Sequence, residues 1–202
     1  MLMIMVKEAR TRQRTGLDEI FTLRDAHEAG WSHRAIYEMR DRGEIVSLGD
    51  GLYRRDDAAP ADLDLIEIAE RVPQATLCLE TALAHHGLVD AIPTSIDFAI
   101  PRGNHRPRLS APHRLHSFDR HTFDIGRETI DVGARRQLGI YSAERCIVDM
   151  VRLRHDQGPE QAWEALRNWL RLRGSSPGRL ARMATHFRGA EKPLLNAFAV
   201  LL

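Results

Sequence analysis

Ser32, His33, Arg34, Tyr37 and Arg40 lie within nine residues, in the segment Ser32-His-Arg-Ala-Ile-Tyr-Glu-Met-Arg. Arginine can pair bidentately with the edge of guanine, and histidine and tyrosine can donate to base edges or phosphates. Those types gain a purpose if they share one face of a helix. Ala35, Ile36 and Met39 fall at helical spacing and turn inward, which leaves His33, Arg34, Tyr37 and Arg40 outward. Glu38 and Asp41 lie on the same helix and repel phosphate, so the outward face is not purely basic.

The elements that position these residues follow from the neighbouring sequence. Thr22 is an N-cap with Asp25 three residues on, a capping box. Leu23, Ala26 and Ala29 give a short helix one apolar side, and Gly30 ends it. Ser32 caps the second helix, which runs to Arg42 with Gly43 just beyond. Glu44-Ile-Val-Ser-Leu48 is strand-like, Gly49-Asp-Gly51 is a tight turn, and Leu52-Tyr-Arg-Arg55 returns. Helix, short turn, helix and two-stranded wing is the layout of a winged helix-turn-helix, whose second helix enters the major groove of DNA. Arg54 and Arg55 are expected to meet backbone phosphate.

The 202 residues accommodate this small module and one larger domain. A hydrophobic share of 43% is ordinary for a globular chain, and no apolar run reaches the length of a membrane span. Met1 to Val6 is apolar but shorter than a signal-peptide core. Cys78 and Cys146 make no disulfide framework and are expected in the core. A cytoplasmic protein that engages no membrane is the expectation.

Net charge is only +1, but its distribution is uneven. Residues 1–55 carry ten basic and nine acidic side chains, residues 56–134 seven and thirteen, and residues 135–202 twelve and six. The basic C-terminal third offers a second DNA contact through Arg167, Arg171, Arg173, Arg179 and Arg182. A solvated helical face is the alternative, and 27 of the 29 basic residues being arginine fits a GC-rich genome equally well.

Asp56 to Ala61 reads as a linker. Helices are predicted at Asp62–Arg71, stopped by Pro73, and at Ala75–His86. Strands follow at Ser95–Ile100, His113–Phe118 and Glu128–Val132. Helices then return at Ala143–His155, capped by Ser142, at Glu160–Arg173, after Pro177, and at Pro193–Leu202. The class is therefore α+β: an N-terminal winged helix-turn-helix, then a mixed α/β domain with a helical C-terminal half.

Enzymatic signatures are absent from the sequence. There is no Gly-x-x-x-x-Gly-Lys loop and no Gly-x-Ser-x-Gly elbow. Lys7 and Lys192 sit near the termini, away from any strand suited to a carboxylate–lysine nuclease. Ser95-Ile96-Asp97 lacks the Gly-Ser and paired aspartates of a nucleotidyltransferase. In the His/Arg-rich segment 102–121, His105, His113, His116 and His121 have no cysteine partner and fit no zinc spacing. Strand alternation separates His113 from His116, so a solvated loop and strand edge is expected there, with a secondary nucleic-acid surface as the alternative. Of the neighbours His85 and His86, one is expected in the core. No metal, cofactor or catalytic residue is expected.

Three stretches resemble one family. They are FTLRDAHEAGWSHRAIYEMRDRGEIVSLGDGLYR, ETALAHHGLVDAIPTSIDFAIPRG and GIYSAERCIVDMVRLRHDQGPEQAWEALRNWL, and together the chain resembles the AbiEi antitoxins of type IV toxin–antitoxin (abortive infection) systems. The resemblance implies a winged-helix DNA-binding domain over 1–56 and an antitoxin-type domain over 62–202. It implies an autorepressor that binds inverted repeats in its own promoter and counters a nucleotidyltransferase toxin without a stable complex. It places recognition on Ser32, His33, Arg34 and Tyr37, and phosphate contact on Arg40, Arg54 and Arg55. A monomer in solution, or a weak dimer, follows. A stand-alone winged-helix regulator whose C-terminal domain senses a ligand or dimerises is the second reading, and a DNA-processing enzyme the third.

Overall fold

The computed structural model describes residues 16–58, 62–90, 92–133 and 136–201; the apolar Met1–Val6 stretch and part of the linker lie outside them. The N-terminal unit starts with strand β1 (Ile20–Thr22), followed by helices α1 (Leu23–Glu28) and α2 (His33–Asp41). Strands β2 (Ile45–Ser47) and β3 (Leu52–Arg55) complete it. Both arms of the Thr22–Asp25 capping box are made: the Thr22 hydroxyl accepts from the Asp25 amide at 3.1 Å, and the Asp25 carboxylate from the Thr22 amide at 2.7 Å. Gly30, at φ +87°, turns the chain between the helices in a conformation that a side chain would strain.

The sequence alone does not show β1. Three residues are too few to show alternation, and Ile20–Thr22 becomes a strand because β3 offers it a ladder, with Phe21 opposite Tyr53. The sheet order is β1-β3-β2, all antiparallel, so β3 is the central strand. One face packs Phe21 and Tyr53 with Leu17, Ala26, Ile36, Met39 and Ile45 into a small core beneath the two helices. The other face contributes Ile20 and Leu52 to the core of the larger unit.

The larger unit is built on a five-stranded mixed sheet of order β6-β5-β4-β8-β7. The strands are β4 (Thr76–Leu77), β5 (Ile96–Pro101), β6 (His113–Phe118), β7 (Arg127–Gly133) and β8 (Arg136–Tyr141). β5 and β6 are parallel, as are β4 and β8, while β4–β5 and β7–β8 are antiparallel. Helix α3 (Leu63–Arg71), capped by the Asp62 carboxylate, lies against β8 and β7. Helix α4 (Leu79–His85) leads into the sheet, and α5 (Ala143–Arg152) follows it, capped by the Ser142 hydroxyl. Then come α6 (Arg154–Gln157), α7 (Pro159–Arg171), α8 (Pro177–Ala184) and α9 (Glu191–Leu201). α5 is the hub, packing against α4, α7, α8 and α9.

Two predicted elements differ. The helix expected over Ala75–His86 begins only at Leu79, because Thr76 and Leu77 pair with both β5 and β8. Tertiary pairing overrides the apolar run there. The helix expected over Ala143–His155 breaks at Leu153 into α5 and α6. β8 was missed as well: Gly139 interrupts its pattern, and a Cβ there would sit 2.7 Å from the Ala75 carbonyl and 2.8 Å from the Thr76 hydroxyl.

Candidate nucleic-acid interface

Helix α2 is the exposed element with reading potential. Ser32 caps it, its hydroxyl accepting from the Ala35 amide at 3.2 Å. Ile36 and Met39 are buried in the small core, with Ala35 half-buried. Ser32, His33, Arg34, Tyr37 and Arg40 are all exposed. Tyr37 is a large aromatic side chain that stays 42% exposed.

These side chains form an ordered ridge. The His27 and His33 rings meet edge-on with centroids 4.4 Å apart. His33 lies 6.3 Å from Tyr37, and the Arg40 guanidinium sits 5.1 Å above the Tyr37 ring. The sequence does not point to His27, which belongs to the preceding helix and is brought here only by the short turn. The ridge is close to neutral. Arg34 pairs with Glu38 at 2.8 Å, Arg40 with Asp41 at 2.8 Å, and Arg42 with Glu44 at 2.7 Å. The hydrogen bond to Asp41 holds the Arg40 guanidinium above its usual range, and Glu44 does the same for Arg42. Exposed pairs of this kind contribute little and can be exchanged for phosphate.

The two wing arginines do not stand free for phosphate as the sequence predicts. Arg55 is 4% exposed: its Nη1 donates to the Leu17 carbonyl at 3.1 Å, and Nε and Nη2 donate to Asp57, both at 2.8 Å. Arg54 is half-buried, and its Nη2 donates to the Ala58 carbonyl at 2.9 Å. β3 is a central strand with both faces covered, so the arginines that read as an outer wing are structural ties at the start of the linker.

The C-terminal arginines are exposed. Arg167 and Arg171 lie on α7, Arg173 just beyond it, and Arg179 and Arg182 on α8. Arg179 donates to the Gly174 carbonyl at 2.8 Å. The helices that carry them pack on α5 and α9, whereas the turn between β2 and β3 meets α3.

The His/Arg-rich segment is only partly a solvated edge. β6 is an edge strand, and His105 and His121 are exposed. His116 is half-buried, its Nε2 2.8 Å from Asp97, which also accepts from Arg114 at 2.8 Å. Asp97 is fully buried, so His116 and Arg114 are what hold its charge. His113 lies on the other face, against Phe98, as the alternation predicted. His86 is the half-buried member of its pair, 2.8 Å from the Tyr141 carbonyl, while His85 is exposed. Cys78 and Cys146 are fully buried, and burial pushes both thiols well above their ordinary range. No helix among the described residues is long and apolar enough to cross a membrane.

Residues 17–55 match the family described as transcriptional regulator, AbiEi antitoxin. That span is the N-terminal unit from Leu17 to Arg55, with the recognition-type helix at its centre. The match agrees with the family that the sequence resembles. The fold of nearly the whole chain is similar to that in the crystal structure of RV2827C protein from Mycobacterium tuberculosis. The TM-score is 0.64 and the identity 19%, over 96% of this chain and 74% of the other. Among curated proteins none matches the chain by sequence.

Proposed function

We propose that the chain is a DNA-binding antitoxin of the type IV class. It represses its own promoter through inverted repeats and counters a nucleotidyltransferase toxin without forming a stable complex with it. The observation that carries the reading is the exposed ridge of α2, His33, Arg34, Tyr37 and Arg40, within the one segment that matches antitoxin regulators. Ser32 fixes the start of the helix, so the first turn presents His33 and Arg34 to base edges, with Tyr37 one turn behind. Arg40 contacts phosphate once Asp41 is displaced.

The near-neutral ridge limits the affinity of α2 alone. Arg167, Arg171, Arg173, Arg179 and Arg182 supply further phosphate contacts on the flanking duplex. Such contacts are sequence-independent and salt-sensitive. The protein is monomeric or weakly dimeric free and pairs on the two half-sites.

A gel-shift with the protein's own upstream region tests the DNA reading. A salt-sensitive, sequence-selective complex is expected, weakened in Arg34→Ala/Tyr37→Ala. Absence of such a complex sinks it. Co-expression with the product of an adjacent nucleotidyltransferase gene tests the antitoxin reading. The Arg34→Ala/Tyr37→Ala variant should still rescue growth, because neutralisation resides in the larger domain; failure of the wild type to rescue would leave only a regulator.

A further inference from the structure

The C-terminal ends of β5 and β6 open into a cavity of about 280 Å³ between the sheet and the loop after α8. Arg102, Asp119, Arg152, His186 and Arg188 line it, backed by Phe118 and Phe187. Arg152 is the fixed element. Its Nε donates to Asp149 at 2.7 Å, and its guanidinium lies 4.9 Å from the Phe118 ring centre and 5.9 Å from that of Phe187. Its two terminal nitrogens make no hydrogen bond to the described residues.

The charge around this cavity is unbalanced. Asp149 is fully buried and already accepts from Arg145 Nε at 2.9 Å. One carboxylate thus serves two arginines. Arg145 spends its Nη1 on the Thr122 and Ile125 carbonyls, and its buried Nη2 has no hydrogen-bond partner. Arg102 faces Asp119 at 3.6 Å, and Arg188 is exposed without a partner among the described residues. Three lining arginines, Arg102, Arg152 and Arg188, stand against one lining aspartate, Asp119, a surplus of +2 around an apolar-backed cleft. Arg152, 22% exposed, shares its one counter-charge with Arg145, and an anion at its free terminal nitrogens adds to that shared charge.

We propose that this cavity binds a small phosphomonoester. A dianionic phosphate matches the surplus of two charges, and the guanidinium fork of Arg152, pre-oriented by Asp149 and the two phenylalanines, matches its oxygens. The volume is just below the usual range for ligand cavities, enough for a phosphate on a compact body. The site is remote from the wing. β6 begins beside Ala111, whose amide is held by Glu67, and six strand residues at about 3.3 Å each carry the chain roughly 20 Å to the cavity. The proposal is therefore independent of DNA binding by α2.

Thermal unfolding and calorimetric titration of the full chain, at constant ionic strength in chloride, test it. The probes are inorganic phosphate, ribose 5-phosphate, and one oligonucleotide with and without a 5′-phosphate. A saturable rise in Tm with phosphate and with ribose 5-phosphate is expected. Arg152→Gln should raise the Kd about tenfold or more, the loss of a charged hydrogen bond. Arg188 is exposed and unpaired, so Arg188→Ala keeps the fold and still weakens binding several-fold. No saturable rise, or equal affinity in Arg188→Ala and wild type, overturns the proposal. Binding of the 5′-phosphorylated oligonucleotide alone overturns the assignment to a small ligand.

Discussion

Arg71 on α3 and Asp50 at the tip of the β2–β3 turn form an ion pair at 3.1 Å, across 21 residues of chain. The same guanidinium donates to the Gly49 carbonyl. Behind it stands Glu67, 3% exposed, whose carboxylate lies 3.2 Å from Arg71 and accepts from the Ser110 and Ala111 amides at 2.9 Å. Gly49 fits only because it lacks a Cβ, which would sit 2.7 Å from the Ser110 hydroxyl. The turn is thus clamped to the larger unit through Arg71, which one buried carboxylate backs.

Removing that carboxylate should loosen both units together. Glu67→Ala leaves the Arg71 guanidinium with only the exposed Asp50 as counter-charge and two loop amides without their acceptor. Breaking a buried pair costs roughly 3–5 kcal/mol. Since Arg71 is partly exposed, about 2–4 kcal/mol is expected, a fall in Tm of roughly 4–16 °C for a chain of this size. Calorimetry of the variant checks it, and an unchanged Tm would show that the clamp is ornamental. Arg71→Ala should cost less, because the buried acid keeps its two amide donors.

Much of the N-terminal unit was legible because its signals are local. The Thr22–Asp25 box, the Ser32 cap, and Gly30 and Gly43 at the helix ends each act over three or four residues. What failed was set by distant partners. β1 and β4 are strands because of β3, β5 and β8, and no residue within them announces it. The same cause moved Arg54 and Arg55 from phosphate contacts to ties: alternation located β3 but could not say that both its faces are covered. The cavity around Arg152 draws on β6, α5 and the loop after α8, and only the folded sheet brings these together.

The acids on α2 set a prediction about DNA. Glu38 holds Arg34 at 2.8 Å and stands 51% exposed beside any phosphate that approaches. Glu38→Gln removes a repulsion and frees Arg34 for a base edge. Affinity for the promoter should rise several-fold, against a loss of about 0.3–0.5 kcal/mol of helix stability from the i,i+4 pair. Quantitative gel-shifts at two salt concentrations decide it; a weaker complex would mean that the carboxylate itself accepts from a base, such as the cytosine amino group.

Asp149 stands between two arginines, and its neutralisation should be among the most damaging single changes. Asp149→Asn keeps the shape but leaves the fully buried Arg145 without a counter-charge. A loss of about 3–5 kcal/mol is expected. Arg145 retains the Thr122 and Ile125 carbonyls and lies 4.2 Å from the ring centres of both Tyr141 and Phe187, so the loss should fall short of complete unfolding. Urea titration measures it; a loss under about 1 kcal/mol would mean that the carbonyls and rings alone carry the charge.

Three buried acids make the fold sensitive to alkali. Burial raises the Cys78 and Cys146 thiols well above 9.0 and the Tyr141 phenol well above 10.0. A raised pKa means that the folded state keeps a proton that the unfolded chain surrenders. The stability from these groups is complete below the unfolded values, near 9 for the thiols and 10 for the phenol, and is lost as pH climbs from there through the raised folded values. Each group steepens the decline by up to about 1.4 kcal/mol per pH unit. Cys78→Ala/Cys146→Ala should be less stable at pH 7, through lost packing, yet should show a shallower slope between pH 9 and 11 than wild type. Equal slopes would mean that the thiols ionise in place. The same burial makes both sulfurs inert to alkylation at neutral pH, so labelling should track unfolding of the larger core rather than the pH of the medium.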